Sequence, residues 1–296
     1  MNHLTVLHQP EAKLDCLIIA FQGWADAGEA ASAAVKFLQR KLKARKFAEI
    51  DPEEFYDFTQ TRPYTTRARD GRRRVIWPAN EFSYWVGTGP AKGAMTFLGV
   101  EPNLRWRTFS RTIAQLAHEH GVKTVVHVGA LLDAVPHTRN VKLSGTATSP
   151  DLLRALEEGD IRGSNYQGPT GISSAVMEAC ASVGMHYASL WGHTPHYLQA
   201  APNYRVGYTL ALRLATLLDL PLELDELRSA AASFDEEVEK AIAQDEQLSA
   251  YAKKLESSYD ESAPPGGGIP DPAELVRDLE QFLKSEQRRR PGDHQP

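Results

Sequence analysis

The sequence predicts an α/β fold: a largely parallel sheet covered by helices on both faces. Three observations carry this. Apolar, strand-like runs at residues 14–21, 122–128 and 186–191 read as strands buried on both faces. Between them lie segments whose apolar residues recur at intervals of three and four, the period of a helix packed on one side. Strand and helix then alternate over residues 14–218, which requires crossover connections. With 296 residues, 42% of them apolar, the chain is long enough to bury such a core.

Taken in order, the first run leads into Gly23 and Gly28, and then into Ala31, Ala34, Val35, Leu38 and Leu42 at helical spacing. The small residues let that helix lie close to a sheet. Residues 44–50 and 55–58 are candidate short strands. Asp70-Gly71 is a two-residue hairpin turn between Tyr64-Thr65-Thr66 and Val75-Ile76-Trp77. Residues 82–86 form a strand ending in Gly87-Thr88-Gly89-Pro90. A helix over 104–120, with Ile113, Leu116 and Ala117 on one side, stops at Gly121. The run 122–128 passes into a Gly129-Ala130-Leu131-Leu132 loop. Ile172, Ala175, Val176, Ala179, Cys180 and Val183 mark a helix closed by Gly184, and 203–218 reads as another.

Residues 1–220 are thus expected to form the α/β core, and 221–296 a helical C-terminal region. There Leu224, Leu227, Ala231, Phe234, Val238, Ala241, Asp245, Leu248, Ala252 and Leu255 make a heptad-like seam with one polar slot at Asp245. Ser233 and Glu236 suggest a capping box, and so a helix junction at that point. A Pro/Gly-rich loop at 262–270, a short helix at 272–286 and a frayed tail at 288–296 complete the expectation.

Net charge is −5, unevenly spread: residues 222–260 hold eleven acids and four bases, whereas 62–74 holds six arginines and one aspartate. The arginines read as a solvated hairpin in preference to a phosphate grip. No basic run is interleaved with stacking aromatics on a recognisable module, which argues against a nucleic-acid partner. No window of 18 apolar residues and no secretory signal are visible, and the two cysteines sit in apolar segments. A cytoplasmic protein without a membrane span or disulfide framework is expected.

The motif tests fail one by one. Gly23 to Gly28 has phosphate-loop spacing, but Glu29 and Ala30 replace the lysine and the hydroxyl. Gly87-Thr88-Gly89 lacks the last glycine of a dinucleotide loop. Asp26 reads as a capping or turn residue, and Trp24 as a buried plug, with a rim position over a pocket as the alternative. Gly171-Ile172-Ser173-Ser174-Ala175 resembles a nucleophile elbow without its strand or final glycine. Gly168-Pro169-Thr170-Gly171 opens a helix, with Thr170 as the cap or with free N–H groups for an anion. His127, His137, His193 and His196 lie near strand ends, but neither a zinc motif nor a cysteine pair accompanies them, so no metal or cofactor is expected. Ligands of open parallel sheets sit beyond the strands' carboxyl ends. Gly23, Trp24, Asp26, His137, Arg139, Thr170, Gly171 and His196 are therefore the candidate ligand-binding residues; no catalytic set emerges.

Several stretches together resemble the proteasome assembly chaperone 2 (PAC2) family in its actinobacterial form. They are Gly23-Trp24-Ala25-Asp26-Ala27-Gly28, Val135-Pro136-His137-Thr138-Arg139, Gly168-Pro169-Thr170-Gly171-Ile172, Pro195-His196-Tyr197, Leu255-Glu256-Ser257-Ser258-Tyr259-Asp260 and Glu280-Gln281-Phe282-Leu283. The resemblance implies a three-layer sandwich akin to nucleoside phosphorylases, self-assembly with a trimer as the form considered, and proteasome subunits as protein partners. Relatives have a Gly-x-Glu-Pro-like turn where this chain departs from it with Val86-Gly87-Thr88-Gly89-Pro90; Glu101-Pro102 is the alternative match. Two functions stay open. One is a non-enzymatic assembly or interaction protein. The other is a binder, hydrolase or transferase of nucleoside- or phosphate-type ligands, using Arg139 and the Thr170–Ile172 backbone for an anion and His137 or His196 for acid–base work.

Overall fold

The computed structural model describes residues 3–87, 93–163, 167–198 and 200–261. In chain order the strands are β1 (Leu4–Val6), β2 (Cys16–Gln22), β3 (Arg45–Ile50), β4 (Tyr64–Arg67), β5 (Arg73–Ile76), β6 (Glu81–Trp85), β7 (Ala94–Val100), β8 (Thr124–Asp133), β9 (Leu143–Ala147) and β10 (His186–Pro195). The helices are α1 (Ala30–Lys41), α2 (Trp106–Glu119), α3 (Pro150–Glu158), α4 (Ile172–Ser182), α5 (Tyr204–Leu217), α6 (Asp225–Ala243) and α7 (Glu246–Glu261).

Among the described residues eight strands form one sheet in the order β1-β3-β6-β7-β2-β8-β10-β9. Its centre, β7-β2-β8-β10, is parallel, and the flanking pairs are antiparallel. The three apolar runs read from sequence are the adjacent, co-directional β2, β8 and β10, as expected. Helices α2 and α4 cover one face, where Phe21, Phe97, Phe109, Ile113, Val176 and Cys180 meet. Helices α1 and α5 cover the other, with Ile18, Ala34, Val128, Leu190 and Leu210. This is a three-layer α/β arrangement with a mixed sheet. The hairpin β4–β5 stands apart, exposed, with Gly71 at φ +80° in its turn.

The structure departs from expectation in several elements. Strand β7 was not anticipated: its small, mixed residues follow a Gly/Pro-rich stretch, yet it pairs in parallel with β2 along its whole length. Strand β9 and helix α3, at the sheet's far edge, were also missed. Residues 55–58 are turn, not strand; Phe55 and Tyr56 are buried there by packing under α2. Strands β8 and β10 run on to Asp133 and Pro195, so Gly129–Leu132 is strand and His193 lies in a strand. Gly129 is what lets them continue: a Cβ there would sit 2.4 Å from the Trp191 ring, which crosses the bare backbone.

The C-terminal seam is also broken where it was read as continuous. Leu227, Ala231, Phe234, Val238 and Ile242 of α6 are buried, and Ala252 and Leu255 of α7, while Ala241 faces solvent. Ser233 and Glu236 lie inside α6. The junction falls at Asp245, whose Oδ1 accepts the Gln247 and Leu248 amides at 2.9 and 3.0 Å; Asp245 caps a helix and is not a polar slot in a coiled seam. The Pro/Gly loop 262–270, the helix 272–286, the tail 288–296 and most of the near-dinucleotide stretch 87–92 lie outside the described residues. Among the described residues no helix is long and apolar enough to cross a membrane.

Candidate functional site

The strand-to-helix crossover after β2 is built by backbone geometry. Gly23 (φ +109°) and Gly28 (φ +59°) take conformations that L-residues rarely adopt. Asp26 caps α1 as expected: its Oδ1 accepts the Ala31 and Ser32 amides at 2.9 and 3.0 Å. Burial pushes the Asp26 carboxyl above the ordinary value, against the pull of those amides, and its Oδ2 finds no partner among the described residues. Trp24 is not a buried plug. It is 68% exposed, and its ring lies over Gly171, where a Cβ would come within 3.3 Å of it.

The start of α4 is likewise corrected. Gly171, not Thr170, is the residue before the helix, and Thr170 Oγ1 pairs with Ser174 Oγ. Glu101 Oε1 accepts the Ile172 amide at 2.8 Å. The helix start, for which an anion was the alternative to a plain cap, already has its Ile172 amide engaged by a carboxylate of the chain itself. Gly99-Val100-Glu101-Pro102, at the end of β7, has the Gly-x-Glu-Pro sequence, and Glu101 N donates to Gln22 O beside Gly23.

His137, Arg139 and His196 gather at a second place, under α7. The Tyr197 hydroxyl accepts the His137 amide at 2.8 Å and lies 2.6 Å from His137 Nδ1. Burial lowers the His137 pKa. His196 Nδ1 donates to Asp133 O, and Tyr251 Oη of α7 lies 3.0 Å from its Nε2. Arg139 grips Asp260 through Nε and Nη2 at 3.0 and 2.7 Å, and Thr138 Oγ1 donates to Glu256. Thr138 and Arg139 fasten α7 to the segment after β8, and His196 fastens it to the segment after β10. The structure therefore brings Trp24 with Gly171, and His137 with His196 and Arg139, while the Asp26 carboxylate serves its own helix.

Between these lies a constellation that the sequence reading did not assemble. Asp133 ends β8, His193 is near the end of β10 and Ser144 is on β9. His193 Nδ1 lies 2.6 Å from Asp133 Oδ2, and Ser144 Oγ lies 2.8 Å from His193 Nε2. Lys142 Nζ and the Ala134 amide also donate to the Asp133 carboxylate, at 3.1 and 2.8 Å. Asp133 and His193 are each 5% exposed. Burial alone would raise the Asp133 carboxyl, but the hydrogen bond and charge of His193, with Lys142, bring it down to about 2. With the ring neutral, the ionised carboxylate holds the proton on His193 Nδ1, and Nε2 is then the acceptor for the Ser144 hydroxyl. The residues are 11 and 49 positions apart with no local motif. The one available signal was that Asp133 and His193 stand at the carboxyl ends of adjacent parallel strands. A cavity of about 20 Å³, lined by Val135, Lys142, His193, Asn203 and Phe234 among others, adjoins His193. Among the described residues no group of three or more metal-ligating side chains is present.

Fold and site together define a three-layer α/β protein with neither a phosphate loop nor a dinucleotide loop among its described turns, and a helical appendage latched over the sheet's carboxyl edge. The chain belongs to the PAC2 family, whose model matches residues 20–242. It is similar to a Mycobacterium tuberculosis proteasome-assembly chaperone homologue, at 35% identity and TM-score 0.71, covering 80% of this chain and 99% of that one. A PAC2 family protein from Streptomyces avermitilis is 38% identical, with TM-score 0.70 and the same coverage. PbaB of Pyrococcus furiosus, an archaeal proteasome activator, shares the fold at 17% identity and TM-score 0.66, covering 81% of this chain and 99% of that one. Among curated proteins none matches this chain.

Proposed function

We propose that the chain is an assembly or interaction protein. Its partners on this reading are proteins, proteasome subunits first among them, and it works as a homo-oligomer, a trimer being the form to test, in the cytoplasm. The observation that carries the proposal is the 35% identity, over nearly the whole of that protein, to a proteasome-assembly chaperone homologue. The local geometry supports it. His137, Arg139 and His196, the residues otherwise available to a small-molecule cleft, are engaged by Tyr197, Asp260 and Tyr251, the last two on α7. Trp24 is a large exposed aromatic beside a rigid turn, the kind of side chain that anchors protein interfaces.

The test is affinity recovery with the tagged full chain from its own lysate, with native mass spectrometry for the oligomer. Proteasome subunits are expected in the eluate, and a Trp24→Ala chain is expected to recover less of them. Recovery of no proteasome subunit, with equal amounts of chain on the resin, would refute the partner. A native mass of one chain would refute self-assembly.

A further inference from the structure

We propose that Ser144 is an activated nucleophile and that the Asp133–His193–Ser144 array is an acyl-transfer site for small carboxylic esters. The claim does not rest on the assembly reading. Two features carry it.

The first is geometry: nucleophile to base at 2.8 Å and base to orienting carboxylate at 2.6 Å, with both ring nitrogens engaged in the sense that nucleophilic catalysis needs. The Asp133 carboxylate is itself fixed by Lys142 and the Ala134 amide, so the imidazole cannot swing away from Ser144 without breaking a buried, charge-assisted bond. The second is access. Asp133 and His193 are sealed, but Ser144 is only half-buried, on the last strand of the sheet, and the next residue on its face, Thr146, is exposed. A purely structural relay has no need to end at an open hydroxyl.

The chemistry closes without further reagents. Ser144 Oγ adds to the ester carbonyl carbon while its proton passes to His193 Nε2. The bond from that carbon to the alkoxy oxygen breaks, and the alcohol leaves with the proton. Water then adds to the acyl carbon, giving a proton to Nε2; the bond to Ser144 Oγ breaks, the serine regains the proton, and a carboxylic acid departs. Asp133 stays ionised and stabilises the imidazolium between the steps.

A fluorophosphonate probe tests this on the full chain, because the serine oxygen displaces fluoride and stays bonded to phosphorus whether or not the natural ester is known. Intact mass and peptide mapping are expected to show one adduct, on Ser144, absent in Ser144→Ala. In His193→Gln and Asp133→Asn the labelling rate is expected to fall by at least about 100-fold, the usual contribution of a positioned base. An unlabelled wild-type chain, adducts only on other serines, or an undiminished rate in a folded His193→Gln chain would overturn the proposal. The wild-type mapping decides even if a variant fails to fold.

Discussion

His127 is the least accommodated side chain in the core. It sits in the middle of β8, fully buried, between the Phe21 ring at 5.9 Å and the Trp191 ring at 5.3 Å, and neither ring nitrogen meets a partner among the described residues. Burial pulls its pKa from 6.5 down to about 4. Above pH 6.5 the ring is neutral in both folded and unfolded chains, and stability does not depend on its titration. As pH falls from 6.5 to about 4, the unfolded chain takes up a proton that the folded ring refuses, so stability is lost. At 1.36 kcal/mol per unit the loss reaches about 2 kcal/mol at pH 5 and about 3.4 kcal/mol below pH 4. In His127→Leu, of similar volume and without polar atoms, this slope should vanish. The two unpaired nitrogens go with it, so the variant is expected to match or exceed the wild type by about 1–3 kcal/mol at pH 7.5. Urea unfolding of both chains at pH 7.5 and pH 5 measures this, because the difference between them cancels every other titrating group. Parallel pH profiles would refute the reasoning, as would a variant about 2 kcal/mol or more weaker than wild type at pH 7.5, which would mean that the ring has polar partners.

Other outcomes follow from the same reasoning. Asp26→Ala removes the acceptor of two α1 amides and should cost about 1 kcal/mol in urea unfolding at pH 7. Asp26→Asn, which keeps that acceptor, should retain most of it. Because the folded Asp26 pKa is raised, wild type should gain on Asp26→Asn as pH falls through that value towards 3.8; an unchanged difference would contradict the buried charge. Arg139→Ala breaks an exposed pair and should leave global stability nearly unchanged, yet speed hydrogen exchange in α7 while leaving β8 unchanged. Equal protection of α7 in both chains would count against the latch. The Cys180 thiol, pushed up to about 12 by burial, should resist iodoacetamide at pH 8 in the native chain and react only in urea.

Much of the scaffold was legible in the chain. The runs that became β2, β8 and β10 are apolar on both alternating faces, which is the demand of a strand covered by helices on each side. The helix periods of α1, α2, α4 and α5 record which side each one buries. Asp26 was readable as a cap because capping is a local interaction, made within a few residues. The edges were not legible: β7, β9 and α3 have weak patterns, since their identity comes from the strand they pair with. Nor did side-chain type reveal allegiance. Arg139 and His196 had the chemistry of ligand groups, and only the position of α7 showed that Asp260 and Tyr251 already engage them.

What the sequence by itself determined is therefore the layered α/β scaffold and the turns that change its direction, because those follow from periodicity and backbone preference among near neighbours. The tertiary structure alone decided which polar groups meet. Asp133, Ser144 and His193 converge because parallel pairing sets the ends of β8 and β10 side by side and antiparallel pairing brings β9 against them. Such a site is a property of strand register, and register joins residues that no local pattern links.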